Sequence, residues 1–367
     1  VPSLVSILPS DLARARGGAE RYAVELHAAL RAELPGWEHR ALVAVSAGAA
    51  EHLPDGWSAV QGRLAGRVSA GDAIGPLDVA RVLARRPTVV LSHQWRTRSA
   101  TTLRAACRLL RGTTLVSMDH GAGTRLGYVL SWTPLPGADV GAHQSVFEQR
   151  ISPIGARRHC VVRGGIDDAR FAPAEDVEPD IDFLMVGRFV PYKGQLRFLE
   201  QLPAGARAVL VGPSDSVDPD YLAAVAAAAR EAGVEVRYDV SDAELVATYR
   251  RARHTVQVPI DVRRYGSGAG AAPPELLGLT MLEAMACGSV PICPADGASA
   301  EFVTDGVTGR TYDAQDDRAL AAVLARALAD REGTATLRAG AIAESARWTW
   351  RAAARELIAA VPALGGR

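Results

Sequence analysis

Two kinds of apolar run alternate along the first half of the chain. Short, near-continuous apolar stretches recur at residues 4–8, 41–45, 88–91 and 114–118. They are too short for helices and lack the polar alternation of a half-solvated strand, so they read as buried strands. Between them apolar residues return at helical spacing. Tyr22, Leu26, Ala29 and Leu30 mark one face of a helix from Ala19, and further helices are predicted over 78–85 and 101–110.

The rhythm lapses at residues 167–179, an acidic stretch spaced by prolines (Pro173, Glu175, Asp176, Glu178, Pro179), which is linker composition. It then restarts. Strands are predicted at 181–186, 208–211, 234–238, 255–258 and 290–292, with helices at 195–202, 220–232, 242–251 and 279–287. A short helix is predicted at 298–302 and a last strand after residue 310. Three helical stretches end the chain, the last at 350–360. Strands and helices that alternate in this way build doubly wound parallel sheets, whose ligands collect beyond the carboxyl ends of the strands. At 367 residues the chain is too long for one ordinary core. The expected fold class is α/β, with Rossmann-like domains over 1–170 and 181–345 joined by a linker at 171–180.

Composition narrows the function classes. The chain is 48% hydrophobic and 22% charged, which is globular. Its 41 basic and 41 acidic residues balance, which removes the electrostatic case for a nucleic-acid binder. No apolar run approaches membrane-spanning length and no signal pattern opens the chain, so a cytoplasmic protein without a membrane span is expected. Cys107, Cys160, Cys287 and Cys293 show neither a CxxC pair nor zinc-ligand spacing and read as free thiols.

Candidate chemistry concentrates at residues 274–288. Glu275 and Glu283 are separated by seven residues, with Gly278 before a helix that Gly288 closes. One carboxylate then lies in the loop before a helix N-terminus and the other on the helix itself. The backbone N–H groups of that N-terminus could receive a phosphate while the carboxylates hold hydroxyls. Taken alone, the same pattern also describes a solvated loop glutamate and a helix-face glutamate. Beyond the strand at 181–186, Gly187, Arg188, Lys193 and Gly194 form a loop that can act as a diphosphate clamp, or simply carry two solvated cations. Gly17 and Gly18 precede the first helix, either as a plain turn or as a close backbone approach to ligand. His93 and His120 stand at strand ends, with Arg96, Arg98 and Arg125 near them as possible anion contacts or solvated side chains. Asp180/Asp182 and Asp218/Asp220 match the Asp-x-Asp form of a metal site but arise readily by chance in an acid-rich chain. No metal or cofactor is expected.

Taken in order, these segments resemble the retaining glycosyltransferases of the GT-B fold related to glycogen synthase. The match runs over nearly the whole chain: Gly17 to Arg21, His93, His120, Gly164 to Asp167 with Phe171 and Pro173, Gly187 and Arg188 to Lys193 and Gly194, Glu275 to Gly288, Glu301, and Asp305 to Gly309. The resemblance implies two Rossmann-like domains facing a cleft, with a nucleoside diphosphate sugar on the second and the acceptor, a small molecule or glycan, on the first. It implies that Arg188 and Lys193 neutralise the diphosphate, aided by N–H groups at Gly18, Leu279 and Thr280. Glu275 would hold donor-sugar hydroxyls and Glu283 the ribose, with His120 against the sugar. The base would lie near Gly212, Pro213, Ser214 and Val240, with UDP the commonest case. His93, Arg96 and Arg125 would be acceptor contacts, and a final helix from Trp350, within 346–367, would pack back on the first domain.

Three departures stand out. Tyr238 replaces a usual glycine, Leu276 a small residue or proline, and the segment 263–274 is long, as a flap over the donor would be. A GT-B epimerase or phosphorylase, and a non-catalytic sugar-nucleotide binder, share the architecture. The histidine at the sheet end and the Glu275–Glu283 element favour transfer over the first two, and Arg188, Lys193, Glu275 and Glu283 argue against the binder.

Overall fold

The computed structural model describes residues 1–11, 17–44, 53–60, 74–109, 112–120, 137–151, 154–174, 176–215, 218–259 and 275–365. The chain divides into two compact units, Val1–Gly164 with Trp350–Arg367, and Gly165–Thr349. Each is built on its own parallel sheet.

The first unit carries β1 (Ser3–Asp11), β2 (Glu38–Ala44), β3 (Trp57–Val60), β4 (Val89–Ser92), β5 (Thr114–Met118), β6 (Ala138–His143) and β7 (Ala156–Val161) in the order β3-β2-β1-β4-β5-β6-β7. Its helices include α1 (Gly18–Glu33), α2 (Pro76–Ala84), α3 (Arg98–Leu109) and α4 (Val146–Ile151). The start of α1 follows from local chemistry. Glu20 accepts a hydrogen bond from the Gly17 N–H at 3.1 Å, satisfying a donor that the helix leaves over. Val5, Ile7, Val90, Leu103 and Leu115 fill the core between sheet and helices.

The second unit carries β8 (Ile181–Val186), β9 (Ala208–Gly212), β10 (Glu235–Tyr238), β11 (Ala252–Val256), β12 (Val290–Pro294) and β13 (Arg310–Tyr312) in the order β10-β9-β8-β11-β12-β13. Around them lie α5 (Gln195–Glu200), α6 (Pro219–Glu231), α7 (Asp242–Arg251), α8 (Leu279–Ala286), α9 (Ala319–Ala329) and α10 (Arg331–Ser345). Asp218 caps α6 by accepting from Tyr221 N–H at 3.0 Å, and Ser241 caps α7 by accepting from Glu244 N–H at 3.2 Å. Phe183, Phe198, Leu210, Val256 and Ile292 anchor the core.

The two halves of each sheet run outward from a central first strand. Chain order reverses between β1 and β4 in one sheet and between β8 and β11 in the other. Those are the switch points where the fold opens a crevice at the carboxyl ends of its strands.

α11 (Trp350–Ala360) belongs to the first unit although it follows the second in sequence. Trp350 meets Tyr22 edge-on with ring centroids 5.1 Å apart, and Arg351 and Arg355 each donate from Nε to Glu33 at 2.8 Å. All four cysteines are free; Cys160 is partly exposed and the other three are buried. The short helix expected at 298–302 is a 3-10 helix over Ala298–Glu301. Among the described residues no helix is long and apolar enough to cross a membrane.

Candidate functional site

The switch point of the second unit brings together the two segments singled out in the sequence. β8 ends at Val186, and Gly187 N–H bonds Val211 O at 2.9 Å, so the chain leaves the sheet in register with β9. Phe189 and Val190 turn into the core while Arg188 faces solvent. A 3-10 turn at Pro191–Lys193 then sets Lys193 just before α5. Two interactions brace this loop. Gln195, 1% exposed, donates to the Arg188 carbonyl at 2.8 Å, and the Arg188 guanidinium donates to Tyr192 Oη at 2.7 Å.

Lys193 Nζ forms an ion pair with the Glu275 carboxylate, both side chains being about one-quarter exposed. Burial pushes the Glu275 carboxyl up, but the Lys193 charge and hydrogen bond, the Arg188 charge and the Gly278 N–H outweigh it and hold the group below its ordinary range. The carboxylate is thus kept ionised beside two cations.

Gly278 makes the geometry possible. Its φ is +87°, and a Cβ there would lie 2.5 Å from Ser299 Oγ. Ser299 Oγ in turn donates to Gln257 Oε1 at 2.7 Å, which fixes the wall behind the glycine. α8 opens directly afterwards with the N–H groups of Leu279 and Thr280, which lie in the first turn where no intrahelical acceptor exists. A small pocket beside Glu275 is lined by Gln257, Pro259, Pro294, Asp296, Gly297 and Ser299.

Glu283 lies deeper, 4% exposed, and accepts from Tyr249 Oη at 3.2 Å. Gly212 closes the other side of the crevice. A Cβ on it would lie 2.3 Å from the Gly187 carbonyl oxygen, so only glycine lets the ends of β8 and β9 approach this closely. Pro213 follows it and Val240 is half-buried near the end of β10. Between them Ser214 donates from both N–H and Oγ to Asp239.

In the first unit, His93 and His120 stand beyond β4 and β5 and form a pair. His93 Nδ1 and His120 Nε2 are 2.9 Å apart and the rings stack at 5.2 Å. Burial pushes His120 down to about 4, and pushes His93 well down, aided by the His120 charge. Both rings are neutral at pH 7. His93, expected as an acceptor contact, is fully buried and pairs with His120. Arg96 pairs with Asp119 at 3.1 Å. Gly17 caps α1 and Gly18 is its first residue. Arg125 and the segment 263–274, with the proposed flap, lie outside the described residues.

Three of the four Asp-x-Asp carboxylates have protein partners. Asp182 is held by Arg207 and Arg253, Asp180 by Arg251, and Asp218 caps α6. Gln195 and Tyr192, which brace Arg188, had no sequence signal beyond their nearness to the motif, and Tyr249, 34 residues before Glu283, had none.

The comparisons with known proteins converge on one family. Residues 167–344 match the family described as glycosyl transferases group 1. A D-inositol 3-phosphate glycosyltransferase of Xylanimonas cellulosilytica is 33% identical over 181 residues, 48% of this chain and 40% of that protein. A GDP-mannose-dependent alpha-(1-6)-phosphatidylinositol monomannoside mannosyltransferase of Mycolicibacterium smegmatis is 29% identical, over 57% of this chain and 56% of that protein. The chain thus spans about half the length of the curated relatives it matches. Among solved structures, sucrose-phosphate synthase from Thermosynechococcus elongatus superposes with a TM-score of 0.77 at 20% identity, covering 98% of this chain and all of that one. Anabaena HepE in complex with UDP and glucose superposes at 0.73 and 18% identity, covering 98% and 99%. Residues 167–344, within the second unit, are thus similar to the glycosyl transferases group 1 family, and the chain as a whole has the GT-B fold.

Proposed function

We propose that the chain is a retaining hexosyltransferase, moving a sugar from a nucleoside diphosphate sugar to an acceptor hydroxyl. The observation that carries this reading is the ion pair of Lys193 with Glu275 at the β8–β11 switch point, flanked by Arg188 and the N-terminus of α8. A diphosphate there would draw Lys193 away from Glu275 and meet Arg188 and the Leu279 and Thr280 N–H groups. Glu275, ionised and released, would accept hydrogen bonds from the donor sugar's hydroxyls, and Glu283 those of the ribose.

The chemistry favours this division of roles. Cleavage of the glycosyl–phosphate bond leaves negative charge on the departing diphosphate, and fixed cations with helix N–H groups stabilise that charge as it grows. We assign the metal-independent form of the reaction, because two cations and a helix N-terminus suffice to hold the leaving group. The first unit would bind the acceptor, with His120 as a neutral, non-titrating group. UDP is proposed as one nucleotide carrier that the site accepts, supported by the UDP complex of the HepE neighbour. The acceptor would be a natural-product or surface-glycan precursor in a bacterial cytoplasm.

Incubating the protein with UDP-, GDP- and ADP-sugars and a panel of hydroxylated acceptors tests the reading. The expected result is release of one nucleoside diphosphate with a product of unchanged anomeric configuration by NMR. An inverted product would remove retention, and phosphate-dependent sugar release would indicate a phosphorylase.

A further inference from the structure

Tyr238 is the last residue of β10, and its ring is 40% exposed at the carboxyl end of the sheet. It leans on Phe189, with ring centroids 5.6 Å apart and planes at 58°. Phe189 follows Arg188 in the clamp loop, and its ring edge lies 2.7 Å from where a Gly212 Cβ would stand. Tyr238 is thus packed against the loop that carries the clamp and still partly exposed.

Its footing is rigid. Asp239 adopts φ +52°, its N–H bonds Gly212 O at 3.2 Å, and its carboxylate takes both the Ser214 N–H and the Ser214 hydroxyl. Those bonds to Ser214 hold the Asp239 carboxyl below its ordinary range. The polar side chains beside Tyr238 are therefore engaged with one another rather than arrayed as an edge-reading set. Gly187 N–H bonds Val211 O and Asp239 N–H bonds Gly212 O, which ties the ends of β8, β9 and β10 side by side. With strands about 4.8 Å apart, the backbones at the ends of β8 and β10 lie roughly 10 Å apart, and the Phe189 and Tyr238 rings meet between them.

We infer that Tyr238 is the platform on which the nucleobase stacks, so that the site takes purine and pyrimidine nucleoside diphosphates alike. The inference rests on the donor site proposed above. An aromatic face binds any base through its π surface, whereas discrimination needs hydrogen bonds to the base edge. The residue thereby sets base tolerance, while Arg188 and Lys193 hold the diphosphate.

The test is calorimetric titration of UDP, GDP, ADP and inorganic pyrophosphate into the full chain, wild type, Tyr238→Ala and Tyr238→Phe. Stacking on an aromatic side chain predicts that Tyr238→Ala weakens all three nucleotides by roughly 10-fold, with pyrophosphate unchanged and Tyr238→Phe close to wild type. Equal or tighter nucleotide binding by Tyr238→Ala overturns the inference and leaves the donor site standing. So does a loss confined to one base, or a parallel loss of pyrophosphate binding. A wild-type protein that binds no nucleotide overturns the donor site itself.

Discussion

Lys193 and Glu275 are 82 residues apart in sequence and meet as an ion pair beyond the carboxyl ends of β8 and β11. On the proposed function Lys193 would bind an anion and Glu275 sugar hydroxyls, once a ligand separates the pair. Replacing Lys193 by alanine removes one charge-assisted hydrogen bond to the leaving diphosphate, worth roughly 1.5–3 kcal/mol. The expected fall in kcat/KM is about 10–100-fold. Steady-state kinetics with the cognate donor checks it, and wild-type turnover at unchanged KM would take Lys193 out of the clamp.

Glu275→Gln separates the two tasks of that carboxylate. The amide keeps the shape but no longer neutralises Lys193, and it cannot accept as strongly from sugar hydroxyls. Binding of free nucleoside diphosphate should be retained or tightened, while transfer from the sugar nucleotide falls by at least about 10-fold. Loss of nucleotide binding with transfer intact would reverse the assignment.

Gly278→Ala forces a side chain into the left-handed region, at about 1–2 kcal/mol, and drives its Cβ against Ser299 Oγ. Overpacking adds about 1–3 kcal/mol. Urea unfolding should show a lowered midpoint, and Ser299→Ala should restore part of it by removing the clashing atom. No recovery in the double variant would show that backbone strain alone sets the cost.

Stability should fall as the solution becomes acidic. His27, His120, His143 and His254 are pushed down to about 4, mainly by burial, from an unfolded value of about 6.5. Between those pH values the unfolded chain binds more protons than the folded one, so stability rises with pH across that window and is lost on descending through it. Glu148, pushed well up by burial and then by Asp119, acts in the opposite sense but is one group against several. Glu275, held low, adds to the loss as pH falls. Urea midpoints at pH 7 and pH 5 should therefore differ clearly, with the lower at pH 5. Equal midpoints would mean that these histidines are not buried as neutral rings.

Most strands were legible because a strand buried on both faces must be apolar throughout. β5 and β8 match the expected bounds to the residue. The strands that escaped are edge or near-edge ones whose composition hides them. β7 carries Arg157, Arg158 and His159 on an exposed edge, β3 has only four residues, and β6 is interrupted by Gly141, where a Cβ would meet the His159 ring at 3.1 Å. For the candidate site, the charged residues were readable because their spacing around Gly187 and Gly278 encodes loop-to-helix turns. What supports them was not. The Gln195 brace and the Tyr249–Glu283 contact depend on tertiary approach, and the burial of His93 depends on its bond to His120. No local pattern carries any of these.

The proposed function requires the second unit to bind a nucleoside diphosphate through Lys193. Titration of UDP into wild type and Lys193→Ala tests it most directly. The account predicts saturable one-to-one binding by wild type and an affinity about 10–100-fold weaker in the variant. Equal affinities in the two proteins, or no binding by wild type to UDP, GDP or ADP, would contradict it.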